Sequence, residues 1–171
     1  MPPNSPQPTI EPASRDDLET LADLWVRLAR DQRRYDSAVR PDANRETMRE
    51  TLAAYRVTDG LLVARLEGDI VGFASVSIER GSLELDTTRG LLSNIYVEPA
   101  YRGRGIGTAL LEAAEESLSR QGAEELLLEV MANNESARRF YRHNGYDEFR
   151  VTMARSLEDR EENDTHSRED G

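Results

Sequence analysis

The sequence predicts an α+β fold, a mixed and mostly antiparallel β-sheet flanked by helices, and three observations carry that expectation. Residues 61–66, the turn Glu67-Gly68-Asp69 and residues 70–78 read as two strands joined in a hairpin. A strand-like run at 91–97 leads into Arg102-Gly103-Arg104-Gly105-Ile106-Gly107, which opens a helix. Leu126-Leu127-Leu128-Glu129-Val130 then reads as a buried strand with a short helix behind it. Antiparallel hairpins therefore come first, and a β-α-β-α-β half follows.

Taken in order, residues 9–12 form a first strand. Ser14 with Asp17 three positions on resembles a capping box, Asp standing at its second position, and Leu18, Leu21, Leu24, Trp25 and Leu28 recur at helical spacing. The first amphipathic helix runs to Arg34, with Trp25 as a core anchor. A second spans 44–56, with Met48, Leu52 and Tyr55 on one stripe. After the hairpin, Gly81-Ser82 starts a turn, and 83–97 returns as one long or interrupted strand in which Gly90 marks a break or bulge. A helix over 106–121 turns Leu110, Ala113, Ala114 and Leu118 inward, and Gly122 suits the position just past its end. A strand at 125–131, a helix at 135–144 closed by Gly145 and a last strand over 147–155 complete the set. One domain over 9–157 follows, between a flexible segment at 1–8 and a disordered acidic tail at 158–171 that has no apolar residue to bury.

Composition narrows the function classes. There is no cysteine, and His143 and His166 have no ligand-like spacing, so no metal site is expected; each histidine reads as a solvated residue. No run approaches the ~18 apolar residues of a membrane span, and the N-terminus lacks the basic-then-apolar order of a secretion signal. A soluble, cytoplasmic protein with no membrane partner is the expectation. The formal charge of −11 arises from 33 acidic residues against 22 basic ones, every one of them arginine. That balance argues against nucleic acid as a partner, because neutralising phosphates needs a basic face. It also fits a halophilic setting: an acidic, lysine-free surface stays solvated in concentrated salt, where the Debye length falls to ~3 Å at 1 M and self-repulsion is screened. A GC-rich genome accounts for the missing lysine but not for the acidity.

The chemistry concentrates in the glycine loop. Gly103, Gly105 and Gly107 remove the Cβ atoms that would keep a phosphate away, and successive N–H groups at a helix start point toward a negative ligand, with Arg102 and Arg104 adding positive charge. A Walker loop needs a lysine, and a dinucleotide fingerprint needs its third glycine where Thr108 stands, so neither fits. Placed directly after Val97-Glu98-Pro99, the loop resembles the acetyl-CoA signature (Arg/Gln-x-x-Gly-x-Gly/Ala) of the Gcn5-related N-acetyltransferase (GNAT) superfamily. A second block resembles the same superfamily: the strand around Glu129, then Asn134, Ala137, Phe140-Tyr141 and Gly145-Tyr146. Together the two cover residues 91–146.

The resemblance implies two parallel strands, 91–97 and 125–131, that splay after a bulge and receive acetyl-CoA in the resulting cleft. Backbone groups of Ile95, Tyr96 and Val97 would pair with the pantetheine arm, an N–H near Val97 acting as oxyanion donor. The loop from Arg102 through Gly103, Arg104, Gly105, Ile106 and Gly107 to Thr108 would hold the diphosphate, with Asn134, Ala137 and Tyr141 also along the cofactor. Tyr141 is the candidate acid, matching the tyrosine that approaches the CoA sulfur in many members. Glu129 is the candidate base, as in protein N-terminal alanine acetyltransferases, where partial desolvation would suit it to accept a proton. Glu84 and Glu98 are its reserves. Asn134 reads equally well as a helix cap, and Arg138, Arg139 and Arg142 either reach CoA phosphates or form a solvated helix face. The implied activity is acetyl transfer to a primary amine, on a small molecule or a peptide, by direct attack in a ternary complex, since no cysteine can carry an acyl group. A non-catalytic CoA-binding sensor of the same fold is the alternative, a homodimer is left open, and the acceptor is not legible. The salt expectation has a direct check: the melting temperature rises as KCl is raised to molar concentration, and equal stability at low and molar salt would remove it.

Overall fold

The computed structural model describes residues 6–158. The expectations for residues 1–5 and 159–171, His166 among them, lie outside the described residues. Five strands are seen there, in the spatial order β1 (Thr9–Pro12), β2 (Leu61–Leu66), β3 (Asp69–Ile78), β4 (Arg89–Val97) and β5 (Glu125–Leu128). The first four are antiparallel neighbours, and β5 joins β4 in parallel. The helices are α1 (Leu18–Gln32), α2 (Arg45–Val57), α3 (Ile106–Arg120) and α4 (Glu135–His143). This is the mixed α+β architecture expected. The hairpin turn is made by Glu67 and Gly68 alone, both at positive φ (52° and 89°), the twist that suits a two-residue connection between right-twisted strands.

Helices cover both faces of the sheet, which explains why all four residues from Leu61 to Ala64 in β2 are buried instead of alternating. On one face Leu21, Trp25 and Val26 of α1 and Leu52 of α2 pack with Val63, Phe73 and Tyr96. Leu21, Leu52 and Phe73 are fully enclosed, so truncating any of them to alanine costs about 2–5 kcal/mol. On the other face α3 lies close against the strands. A Cβ on Gly90 would stand 2.5 Å from Leu118 Cδ1.

That contact corrects the reading of Gly90 as a break. Gly90 is paired on both sides, with Ile78 and with Leu126, and its missing side chain makes room for α3. The bulge of β4 lies elsewhere, as described below. The strand also begins later than expected, at Arg89, where Arg89 Nε meets Glu125 Oε1 at 2.5 Å and Glu79 N–H donates to Arg89 O at 2.8 Å. Residues 79–88 are irregular, with Leu83 and Leu85 exposed. α1 ends two residues early, passing through a 3-10 turn at Arg33–Tyr35 to Asp36, which takes the left-handed conformation (φ 69°).

The chain falls into two compact units divided between Arg138 and Arg139. In the second, α4 ends as Gly145 suggests: Gly145 (φ 91°) donates to Arg142 O at 3.1 Å and Tyr146 to Tyr141 O at 3.0 Å, the paired bonds of a Schellman motif. α3 ends the same way at Gly122. The strand expected over 147–155 is not assigned. A strand is defined by a bonded neighbour, and residues 139–158 taken by themselves hold no second extended segment to supply one.

The anticipated capping pair at the start of α1 is present and recruits a third residue. Ser14 N–H and Oγ both reach Asp17 Oδ2, at 2.8 and 3.0 Å, and Arg65 Nη2 of β2 reaches the same oxygen at 2.5 Å. Burial alone would raise the Asp17 pKa, but the Arg65 and Ser14 hydrogen bonds outweigh it and hold the carboxyl below its ordinary 3.8. A depressed carboxyl stabilises the fold fully above the unfolded value and loses that contribution as pH falls through the folded one. Asp17→Asn therefore lowers stability at neutral pH by about 2 kcal/mol. In urea melts the gap between wild type and variant closes as pH drops below 3.8, while a pH-independent gap would show that packing, not charge, holds the cap.

Candidate active site

The site begins with a defect in the sheet. β3 and β4 stay in register from Gly72–Val97 to Ser75–Asn94, but the next pair is Val76–Leu92, so Ser93 is an extra residue in β4. The parallel pairing of β4 with β5 runs from Arg89–Glu125 to Leu92–Leu128 and stops there. A bulge bends its strand and raises the local twist. Here it falls one residue past the last β4–β5 pair, and the two strands part as a fork. Polar contacts pin the bulge from α2 and from β3: Tyr55 OH lies 2.8 Å from Ser93 Oγ, and Asn94 Nδ2 donates to the fully buried Ser75 Oγ at 2.8 Å.

Beyond the fork, the edge of β4 opens two residues to a ligand. Glu98 N–H donates to Val71 O at 2.8 Å. Antiparallel ladders alternate which residues turn both peptide groups to the partner, so Glu98, Tyr96 and Asn94 face β3 while Val97 and Ile95 face the side that β5 has left. Tyr96, expected to share that edge, instead has its peptide groups on β3 and its ring in the core, 5% exposed. Burial, then the carboxylates of Glu98 and Asp31, push its phenol pKa up.

The glycine loop continues from that edge. Gly103 (φ 77°) and Gly105 (φ 81°) adopt the left-handed conformation, and nothing lies within 4 Å of where either Cβ would stand. Gly105 caps α3, whose first internal bond is Ala109 N–H to Gly105 O at 3.0 Å. The N–H groups of Ile106, Gly107 and Thr108 therefore have no acceptor within the helix. Three free amides above an open glycine surface suit a diphosphate, and the buried Ile106 side chain, 2% exposed, fixes their direction. The arginines behave differently from expectation. Arg104 is exposed, its guanidinium 5.5 Å over the Tyr101 ring. Arg102 turns back: Nε donates to Val97 O at 2.8 Å, Nη2 lies 3.4 Å from Asp31 Oδ2, and the guanidinium sits 5.5 Å over the Tyr96 ring. Its own N–H is taken by Pro99 O.

Glu129 is the first residue of the departing strand past the fork, and it is exposed, so the desolvation anticipated for it is absent. Of the reserves, Glu98 is ion-paired with Arg27 and Glu84 lies exposed in the irregular 79–88 segment. Asn134 Oδ1 accepts the Ala137 N–H at 3.1 Å, so the capping reading holds for that oxygen, and Ala137 is half-buried beside it. Arg138 donates to Ala132 O and Glu135; Arg139 and Arg142 are exposed. In the second unit, the half-buried Tyr141 packs edge-on to Phe140 and Tyr146, at 5.3 and 6.0 Å between ring centroids. Burial pushes its phenol pKa up to about 12.

Residues 25–146 match the Acetyltransferase (GNAT) family. The chain belongs to that family. An uncharacterised N-acetyltransferase of Archaeoglobus fulgidus is 30% identical over 77% of this chain and 88% of its own. Another uncharacterised N-acetyltransferase, of Methanocaldococcus jannaschii, is 30% identical over 84% of this chain, which spans only 62% of that protein's length. Among solved structures, aminoglycoside N-acetyltransferase AAC(6')-Iy in complex with CoA superposes with a TM-score of 0.70 over 92% of this chain and 99% of its own, at 21% identity. That likeness speaks for the GNAT fold. No helix among the described residues is long and apolar enough to cross a membrane.

Sequence reasoning missed the contacts that hold the fork and the loop in place. Tyr55 and Ser93 are 38 positions apart, Asp31 and Arg102 are 71, and Asn133, which donates to Asp36 Oδ2 at 2.9 Å, is 97 from its partner. Hydroxyls and charges so far apart carry no periodic signal. The cap role of Asn134 has its own test. Asn134→Ala costs about 1 kcal/mol in denaturant unfolding, while Asn134→Ser retains most of it; unchanged stability in the alanine variant would remove the cap.

Proposed function

We propose that this GNAT protein transfers an acetyl group from acetyl-CoA to a primary amine by direct attack. The observation that carries the reading is that one strand-to-helix segment leaves two sets of backbone groups open, those of Ile95 and the Val97 N–H beyond the fork and the helix-start amides of Ile106, Gly107 and Thr108. Acetyl-CoA, when bound, supplies the activated acyl carbon. The amides at the start of α3 hold its diphosphate, with Gly103 and Gly105 allowing close approach. Along β4, the open groups of Ile95 pair with the pantetheine arm, and an N–H near Val97 polarises the thioester carbonyl, a backbone donor that needs no reorganisation as charge develops.

The acceptor nitrogen attacks the carbonyl carbon and the carbon–sulfur bond breaks. Glu129, at the fork and open to solvent, takes the proton that the nitrogen must lose. The Tyr141 phenol gives its proton to the departing sulfur. With its pKa raised to about 12, the phenol stays protonated through neutral and mildly alkaline pH, as an acid must. With no cysteine in the chain, the acyl group passes straight to the amine and not through an enzyme thioester.

Purified protein given labelled acetyl-CoA and a panel of small amines and N-terminal peptides should show transfer. Tyr141→Phe and Glu129→Gln each lower kcat by at least about a hundredfold, in the range of general acid and base contributions. CoA binding by calorimetry without transfer to any amine would favour the sensor reading, and no heat of binding would remove the proposal altogether. Gly105→Ala separates loop from chemistry. It strains a positive-φ position by about 1 kcal/mol and puts a methyl group into the open space through which the diphosphate approaches, so the Kd for CoA rises at least about tenfold, a loss of about 1.4 kcal/mol.

A further inference from the structure

We infer that the amine acceptor carries a carboxylate, and that Arg33 and Arg40, at the end of α1 and on the loop leading to α2, recognise it. The inference rests on the acyl-transfer reading above and names its substrate class. The end of α1 touches both arms of the fork. Asp31 Oδ2 lies 3.4 Å from Arg102 Nη2, in the loop that follows β4, and Asp36 Oδ2 accepts from Asn133 Nδ2 at 2.9 Å, in the segment that follows β5. Asn133 is four positions past Glu129, so their Cα atoms are at most about 14 Å apart. An acceptor with its amine at Glu129 therefore has this loop within the reach of a few residues of extended chain.

Charge here runs against the rest of the chain. Carboxylates outnumber arginines overall, 33 to 22, yet residues 27–45 hold six arginines and three carboxylates. Four of the six, Arg27, Arg30, Arg34 and Arg45, each meet a carboxylate. Arg33 and Arg40 are exposed and have no carboxylate partner among the described residues. Arg33 is fixed all the same: its Nη1 donates to Val39 O at 2.9 Å, a neutral oxygen that holds the guanidinium and leaves its charge uncompensated. The backbone at Arg40 is tied down by Asn44 Nδ2, which donates to Arg40 O at 2.9 Å, and by Arg30 on Asp42 at 3.1 Å. With carboxylates in surplus, two arginines left over on a tethered loop beside the fork suit an anion that arrives with the substrate. A guanidinium matches a carboxylate with paired N–H donors. Glu129 receives the amine and the loop receives the acid, so charge complementarity sets the acceptor's direction as well as its identity. A polyamine or a basic peptide meets like charge at the loop.

Steady-state kinetics on paired acceptors that differ only in an acid and its amide test this directly. The pairs are the peptides Ser-Asp-Gly-Ala and Ser-Asn-Gly-Ala, and free glutamate with glutamine. Two exposed charge contacts acting together give the acid member a kcat/KM about tenfold higher, and the pair that shows the preference tells a peptide acceptor from a free amino acid. The ratio falls about threefold in Arg33→Gln and again about threefold in Arg40→Gln, and it shrinks as KCl is raised, because exposed charges are screened. Arg120→Gln, which removes an arginine from the surface of α3, leaves the ratio unchanged. Arg33→Glu turns the preference toward Ser-Arg-Gly-Ala, a gain that damaged folding cannot produce. Equal use of acid and amide by wild type, or a wild-type preference for basic acceptors, would overturn the inference while leaving acyl transfer in place. So would an Arg33→Gln variant whose KM for acetyl-CoA rises while the ratio holds, which would make the loop a contact of the cofactor. Transfer to no amine at all overturns the proposed function and this inference with it, and is told apart because wild type then gives no ratio to compare.

Discussion

One extra residue in one strand governs this molecule's cleft. Ser93 interrupts the β3–β4 ladder one position beyond the last β4–β5 pair. A regular β4 would keep β5 as a neighbour along its whole length, and the peptide groups of Ile95 and Val97 would be consumed by the sheet. The bulge leaves these groups without a strand partner, a costly arrangement for backbone groups unless something polar takes them up. The fold tolerates it because one side of β4 remains fully paired with β3, and because Tyr55–Ser93 and Ser75–Asn94 anchor the irregular turn of the strand. An open edge of this kind is at once a structural liability and a ready template for an extended ligand.

The phosphate loop follows the same logic of backbone groups left over by the fold. Gly103 and Gly105 turn the chain through left-handed conformations into the start of α3, and the space where their Cβ atoms would stand is open. Side-chain charge has less part in this than composition suggested. In a chain with 22 arginines, the arginine nearest the edge, Arg102, is turned inward onto a backbone carbonyl and an α1 carboxylate. Arginine suits that task because its guanidinium presents several donors in fixed directions and stacks on an aromatic face while doing so. The same pattern recurs at Arg65, which gathers Glu11 and Asp17 across β1, β2 and the start of α1. In an acidic protein, such forks gather carboxylates that would otherwise repel one another.

Much of this was legible beforehand wherever the determinants are local. The hairpin at Glu67-Gly68, the Ser14–Asp17 cap, the glycine stops at Gly122 and Gly145 and the loop of 102–108 each depend on residues within a few positions of one another, and each is present. The errors came where a neighbour distant in sequence decides. Gly90 looked like a break because glycine weakens a strand in isolation, yet α3 packs its Leu118 into the space. Leu83 and Leu85 have strand-like character but no partner strand, so residues 79–88 stay irregular. The family resemblance puts Tyr96 on the edge with Ile95 and Val97, but three successive residues cannot all face one side of a pleated strand.

The sequence by itself determined the family, the order of elements and the loop that suits an anion, because helical periodicity, caps and glycine conformations are encoded within a few residues. Tertiary structure alone decided which peptide groups are open, where the two parallel strands part and which way Arg102 points. Those properties belong to the register between strands and to contacts across dozens of positions. A register shift of one residue reverses the direction of every peptide group without altering a single local preference.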